Sequence, residues 1–342
     1  MKTHKKVGLY VGKFVAYHKG HQYYINKFAR SCDILHLVLC ANTKTDMVPY
    51  EKRQDWLMND MKEGLVTVRQ KIKFHLSVED AIPPYPDGIQ EWCKWIENLV
   101  EDKIDIMFGN DDYVNECANI FGAYYYSPDG SRKNFNVSST KIVKGGLKYY
   151  DYLTDSAKPY FNKEVLITGP ESSGKTTLCK QLATFFEAPF VEEYGRSYEE
   201  ETLRRFNLRC TQWGIEDYEK IARRQDEMIR DISAKPDRKL TFIDTDAIIT
   251  EMFCELYLKK TSERLKDIIL SQKFDLIIYL DPTGTKWVDD GLRFMEDQRS
   301  EVGELIKNKL TNLGRDFILV KNENGYQKRF EDIKQIIKAK FY

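Results

Sequence analysis

The amino-acid sequence predicts an α/β protein of two tandem domains, each built on a mainly parallel sheet covered by helices on both faces. Three observations carry that expectation. Short apolar, β-branched runs alternate with segments of helical periodicity, as buried parallel strands and their crossover helices do. The alternation lapses once, in a Tyr- and Asp-rich stretch ending near Pro159, and then resumes. A glycine-containing turn, Gly169-Pro170-Glu171-Ser172-Ser173-Gly174-Lys175-Thr176, sits at mid-chain between one such strand and one such helix. At 342 residues the chain is long enough for two domains that each bury a core.

Taken in order, strands are expected over 7–11, 34–40, 72–76 and 104–108. Helices are expected over 21–29, 52–61 and 88–100, the last with Ile89, Trp92, Ile96 and Leu99 on one side. Ile82-Pro83-Pro84-Tyr85-Pro86-Asp87-Gly88 is a loop by composition, with Asp87 or Gly88 as a cap for the helix that follows. The domain boundary falls within 148–162, giving domains of 1–158 and 159–342. Beyond it, strands are expected over 164–168, 190–191, 240–244, 275–280 and 316–320. The helix after Thr176 places Leu178, Leu182 and Phe185 on one face. No internal repeat relates the halves. Each offers a ligand crevice at the carboxyl ends of its strands.

Composition excludes several classes. Lysine plus arginine matches aspartate plus glutamate, 53 against 53, so no bulk positive charge is available to grip nucleic acid. Seven cysteines are scattered and never spaced C-x-x-C, which fits reduced thiols better than a disulfide framework or zinc site. No apolar run approaches the ~20 residues that span a bilayer. The basic residues at 1–6 lead directly into a strand instead of a signal-peptide apolar region. The expectation is a cytoplasmic protein without nucleic-acid or membrane partners, with homo-oligomer formation left open. The clusters Tyr124-Tyr125-Tyr126 and Tyr149, Tyr150, Tyr152 read as packing residues.

The mid-chain turn fits G-x-x-x-x-G-K-S/T, whose backbone N–H groups cradle phosphates. Gly169, Glu171, Ser172, Ser173 and Gly174 form the loop, and Thr177 opens the helix. Lys175 is expected to reach the β- and γ-phosphates of ATP, and the Thr176 hydroxyl to ligate Mg²⁺. Asp244 ends an apolar strand with Asp246 beside it, and one of these carboxylates is expected to hold the metal. Glu193 follows the short strand at 190–191 and is a candidate general base, with Asp244 its rival. Either carboxylate also suits sugar hydroxyls. Arg196 and Arg293 are candidates for neutralising phosphate. Asp289 and Asp290, beside Arg293, read equally well as a solvated capping pair.

In the first half, Gly12-Lys13-Phe14-Val15-Ala16-Tyr17-His18-Lys19-Gly20-His21 follows the first strand. Two histidines three apart at a helix start present imidazoles and N–H groups to an anion, and imidazole can follow charge building on a phosphate. Far downstream, Val137-Ser138-Ser139-Thr140-Lys141-Ile142 follows the basic pair Arg132-Lys133. Alone, it reads as ordinary N-capping worth about 1 kcal/mol.

Together the two segments resemble the paired signatures of the nucleotidyltransferase superfamily, an H-x-G-H element and an S-S-T-x-I/V-R-like element. With a phosphate-loop domain behind them, nearly the whole chain resembles the bifunctional NadR family. Glu193-Tyr194-Gly195-Arg196, Phe242-Ile243-Asp244-Thr245-Asp246 and Trp287-Val288-Asp289-Asp290-Gly291-Leu292-Arg293 stand in the order and spacing of such a kinase half. The resemblance implies a Rossmann-like nucleotidyltransferase domain followed by a P-loop kinase domain. It implies phosphorylation of nicotinamide riboside with ATP, then adenylation of nicotinamide mononucleotide to NAD with release of pyrophosphate.

The resemblance also implies roles. His18 and His21 would contact phosphates, Lys13 would neutralise charge nearby, and Gly12, Phe14 and Gly20 would bind ATP with them. Ser139, Thr140 and Lys141 would hold the triphosphate from the other side. Tyr194, Arg196 and Asp246 would contact the kinase substrate. Trp92 is a candidate for stacking on a nicotinamide or adenine ring, although it also fits a buried helix face. Three departures stand out. Ala16 replaces the usual proline, and Val143 replaces the arginine that ends the second signature, removing a bidentate phosphate clamp. No helix-turn-helix segment precedes the first strand, so a repressor role is not expected. Val143 favours an alternative, a kinase whose first half binds nucleotide only as a sensor.

Overall fold

The computed structural model describes residues 4–128, 136–288 and 297–342. The chain divides into two compact units, Met1–Lys158 and Pro159–Tyr342.

The first unit is an all-parallel five-stranded sheet. Its elements are β1 (Val7–Gly12), α1 (Lys19–Ser31), β2 (Ile34–Ala41), α2 (Tyr50–Lys62), β3 (Ile72–Val78), α3 (Ile89–Val100), β4 (Ile106–Phe108), α4 (Asp112–Phe121), β5 (Tyr124–Tyr126) and α5 (Ser139–Lys144). Strand order is β3-β2-β1-β4-β5, with Val7 beside Ile34 and Gly8 beside Ile106. Helical crossovers bury both faces of the central strands, and seven of the eight β2 residues are buried. One face packs Leu9, Val38, Ile96 and Met107, and the other stacks Phe28 on Phe108 at 4.3 Å. Order reverses at β1, whose neighbours β2 and β4 lead to opposite edges, so a crevice opens at its carboxyl end. The Tyr124–Tyr126 cluster is the edge strand β5. The strand expected over 104–108 starts at Ile106, because the Asp105 carboxylate caps the Val7 N–H at 2.8 Å.

A single turn, α6 (Lys158–Phe161), precedes β6 (Lys163–Thr168), α7 (Lys175–Phe186), β7 (Phe190–Val191), α8 (Tyr194–Phe206), α9 (Ile215–Ser233), β8 (Leu240–Asp244), α10 (Ala247–Leu258), α11 (Glu263–Ser271), β9 (Leu276–Leu280), α12 (Arg299–Asn312), β10 (Ile318–Val320) and α13 (Gly325–Phe341). This second sheet is also parallel, in the order β10-β9-β6-β8-β7, and β8 and β9 are buried throughout. The helix after the glycine-containing turn, α7, buries only part of its apolar face. Leu178 and Leu182 are buried with Cys179 and Ala183, but Phe185 is 44% exposed. Its ring lies under the ammonium groups of Lys334 and Lys338 from α13, at 4.8 and 5.1 Å. Cation–π contact substitutes there for core packing. All seven cysteines are free thiols. No described helix is long and apolar enough to cross a membrane.

Candidate active sites

In the first unit, β1 delivers the chain into a tight loop before α1. Phe14 takes a positive φ of 50° and buries its ring against Tyr10, Tyr17 and His21. A Cβ on Gly12 would lie 2.9 Å from that ring, so glycine is what lets the loop fold back. His18 is the N-cap of α1. Its Nδ1 accepts from the N–H groups of Gly20 at 3.1 Å and His21 at 3.4 Å. His21 Nδ1 reciprocates by accepting the His18 N–H at 3.3 Å, and the two rings stack 3.7 Å apart. Both Nδ1 atoms are therefore acceptors, which puts the proton of each neutral ring on Nε2. A proton on either Nδ1 would remove an acceptor that caps α1.

The second signature comes to this loop from 123 residues away. Ser139 Oγ accepts the Ala16 N–H and donates to the Ala16 carbonyl, both at 3.3 Å. Ser138 caps α5 by accepting the Lys141 N–H at 3.2 Å. Thr140 lines the same crevice as Gly12, Lys13, Phe14, His18 and His21, a cavity of about 810 Å³. Lys141 turns its Nζ back to Asn136 Oδ1 at 2.7 Å instead of joining that lining. Trp92 is in the lining too, half-buried, its indole N–H donating to Glu79 Oε1 at 2.7 Å. Core packing and crevice lining thus coincide in this residue.

In the second unit the phosphate loop joins β6 to α7. Gly169, Ser172 and Gly174 have φ of 144°, 56° and 90°. A Cβ on Gly169 would meet the Leu280 carbonyl at 2.6 Å, so the loop lies close on β9. Lys175 Nζ donates to the Pro170 carbonyl at 3.0 Å, folded across its own loop. Thr176 Oγ1 donates to Asp244 Oδ2 at 2.5 Å. Asp244 is fully buried at the end of β8, and burial raises its carboxyl although Lys175 and the Thr176 hydroxyl oppose the rise. Glu193, the N-cap of α8, is pushed up to about 7 by burial and then by the charge of Asp244. Asp246, N-cap of α10, is pushed up to about 6 by burial despite Arg315 at 3.4 Å. One cavity is lined by Glu171, Ser172, Thr176, Thr177, Glu193, Arg196 and Asp246, while Ser173 lies buried beneath. Tyr194 supports the wall from behind, its N–H bound to Gln225 Oε1 at 2.8 Å. Arg293, Asp289 and Asp290, and the pair Arg132-Lys133, lie outside the described residues.

Comparison with known proteins covers both sites at once. The AAA domain family matches residues 164–329. The NadR NAD biosynthesis and regulator protein of Escherichia coli is 29% identical over 95% of this chain and 81% of its own length. That of Salmonella typhimurium is 29% identical over 98% of this chain and 83% of its own. The chain is homologous to NadR. A crystal structure of NadR with NR superposes at a TM-score of 0.77 with 25% identity, covering 98% of this chain and 96% of that one. A second, with NAD and AMP-PNP, shares the fold at a TM-score of 0.76 with 24% identity over the same shares.

Set beside the NadR signatures, the departure at Ala16 has a structural correlate: its N–H is in use, and a proline would have none to give Ser139. Several positioning residues escaped sequence reasoning. Arg53 is fully buried on α2 and donates to the carbonyls of Lys13 at 2.6 Å and Cys40 at 3.2 Å. It also pairs with Asp46 at 2.7 Å. Burial alone would raise Asp46, but the Asn42 N–H, Lys13 and Arg53 hold it below its ordinary value. In the second unit Arg299 donates to the carbonyls of Glu171 at 3.1 Å and Ser172 at 2.7 Å. Arg329 donates to that of Ser173 at 2.9 Å. Two guanidiniums thus turn the loop's carbonyls outward and leave its N–H groups for an anion. The faint signal for Arg329 was an arginine on an otherwise apolar helix face; Arg53 shares its buried face with Trp56, Leu57, Met61 and a second charged residue, Asp60.

Proposed function

We propose that this chain is a bifunctional enzyme of pyridine-nucleotide salvage. The second unit phosphorylates nicotinamide riboside with ATP, and the first joins the resulting mononucleotide to the adenylyl group of ATP, giving NAD and pyrophosphate. The observation that carries the reading is the coexistence of two crevices, each lined by a phosphate-binding signature, in a chain homologous to NadR over nearly its whole length. Solved NadR proteins hold NR in one case and NAD with AMP-PNP in another. The net charge of zero and the lack of a membrane-length helix among described residues favour a cytoplasmic enzyme of small molecules without a nucleic-acid partner.

In the kinase site, Glu193 takes the proton from the ribose 5′-hydroxyl as that oxygen bonds to the γ-phosphorus, and the β–γ bridging bond breaks with its electrons leaving on ADP. A carboxyl near 7 is half ionised at working pH, which suits a general base. Lys175 leaves the Pro170 carbonyl for the β- and γ-phosphates when ATP enters. The Thr176 hydroxyl and Asp244 carboxylate, 2.5 Å apart, form a hard-oxygen donor pair that fits Mg²⁺. When bound there, Mg²⁺ supplies charge neutralisation to the phosphates. Arg196 neutralises the phosphate side, Arg293 does so from a segment outside the described residues, and Asp246 grips ribose hydroxyls.

In the adenylyltransferase site, a phosphate oxygen of the mononucleotide forms a bond to the α-phosphorus of ATP. The α–β bridging bond breaks, and its electrons leave with pyrophosphate. No group of the chain is adenylylated in this reading, so the site works by positioning and by donating hydrogen bonds to developing charge. The Nε2–H groups of His18 and His21 are those donors, and Lys13, Ser139 and Thr140 complete the triphosphate wall. Trp92 is available to stack on a ring.

The test is to incubate the purified chain with nicotinamide riboside, ATP and Mg²⁺ and follow products by chromatography. Mononucleotide followed by NAD and pyrophosphate supports both halves. Mononucleotide alone supports the second reading, a kinase with a nucleotide-sensing first unit, which Val143 favours. Neither product overturns the substrate assignment.

A further inference from the structure

The kinase cavity contains a buried amide with one end committed and the other open. Gln225 lies on α9, is 3% exposed and lines the cavity. Its Oε1 accepts the Tyr194 N–H at 2.8 Å, which fixes the orientation of the amide. Its Nε2 is buried and has no hydrogen-bond partner. Two N–H donors therefore sit without an acceptor, a state that costs stability unless a ligand supplies one. The indole N–H of Trp213, buried in the same lining, is likewise unpartnered.

What acceptor suits this amide follows from its neighbours. Along α9, Tyr218, Ile221 and Gln225 recur at helical spacing toward the cavity, giving a flat apolar wall that carries one polar group. The groups suited to sugar hydroxyls are others: Glu193 and Asp246 are carboxylates, and Asp246 Oδ1 is itself a buried acceptor without a partner. A neutral double donor on an apolar wall matches a carbonyl oxygen on a planar ring. Resting on the salvage reading above, we propose that Gln225 is a specificity-determining residue of the kinase. Its Nε2 donates to the carboxamide oxygen of the bound pyridinium riboside and so selects carboxamide-bearing rings. Glutamine is suited to this because one end is already anchored, so the donor is held in place before the ligand arrives.

The test measures kcat/KM of the full chain for two substrates, nicotinamide riboside and ribosylpyridinium lacking the carboxamide, in wild type, Q225L and Q225E. Q225E keeps the oxygen that binds the Tyr194 N–H while removing the donors, so it separates recognition from local folding. The expected result is that wild type prefers nicotinamide riboside by about tenfold or more. Both variants lose that preference through a fall on nicotinamide riboside, with the carboxamide-free riboside changing by less than about threefold. Equal losses on both substrates, or a preference surviving in Q225E, overturn the role of Gln225 while the salvage reading stands. Wild-type chain that phosphorylates neither riboside overturns both.

Discussion

Ser139 Oγ lies 3.3 Å from both the backbone nitrogen and the carbonyl oxygen of Ala16, joining two segments 123 residues apart into the lining of one crevice. Removing that hydroxyl leaves the Ala16 amide unpaired and frees the downstream segment. S139A is expected to lower NAD formation from the mononucleotide by about tenfold or more while phosphorylation of the riboside is unchanged. A16P, which restores the family's proline but removes the N–H, is expected to lower it as well. Separate assays of the two half-reactions check both, and a loss in the kinase step would contradict the assignment.

His18 caps α1 and is proposed to donate to a phosphate, two roles that substitution can separate. As N-cap of α1 its side chain satisfies two N–H groups, and alanine there is expected to cost about 1 kcal/mol of stability. Asparagine caps helices well but does not offer the Nε2–H donor. H18A should therefore lose both melting temperature and adenylyl transfer. H18N should regain much of the first and little of the second, as thermal melts and pyrophosphate release would report.

Thr176 and Asp244 are proposed to hold Mg²⁺ together. T176V removes the hydroxyl but keeps the volume, and D244N keeps the shape but removes the charge. Each is expected to reduce riboside phosphorylation by about a hundredfold or more, with T176V partly recovering at raised Mg²⁺. The adenylyl transfer step is the internal control, and it should not change.

Glu193 makes the kinase and its stability depend on pH in opposite senses. Its carboxyl is raised from an ordinary 4.5 to about 7 by burial and by Asp244. Between those values the folded chain keeps a proton that the unfolded chain has released, so its stabilising contribution is full below the lower value and lost as pH rises through the upper. E193Q is expected to gain melting temperature relative to wild type between pH 5 and 8. Kinase kcat/KM should rise over the upper part of that range with a midpoint near 7, and E193Q should abolish the rise along with most activity.

Arg329 and Arg299 hold the phosphate loop from behind. Arg329 is buried and bonds the carbonyls of Ser173, Asp281 and Val320, so R329M is expected to destabilise the second unit by about 3 kcal/mol. Arg299 is less buried; it donates to the loop and to Thr285 and lies over the Trp287 ring. R299M is expected to raise KM for ATP severalfold with a small change in unfolding midpoint. Denaturant titrations and ATP saturation curves distinguish the two.

Much of this was legible in the chain because it depends on local pattern. The strands over 34–40 and 240–244 announce themselves as apolar runs, and the phosphate loop is contiguous, with its glycines where φ is positive. Lys175 and Thr176 follow from the same eight-residue motif. Asp244 is legible because a carboxylate ending a buried strand has few other purposes. β5 was less legible, since three tyrosines carry no alternation that separates an edge strand from a packing cluster.

The sequence by itself determined two parallel α/β halves, the position of the loop at each candidate site and the residue types available there. Only the tertiary structure decided which groups those residues meet. It put Ser139 on the Ala16 amide, committed both histidine Nδ1 atoms to capping, turned Lys141 aside to Asn136, and set Arg53, Arg299 and Arg329 behind the loops. The physical reason is that strand and helix periodicity is written within a few residues. A hydrogen bond between segments a hundred residues apart depends on how the whole sheet twists and closes, and leaves almost no local trace.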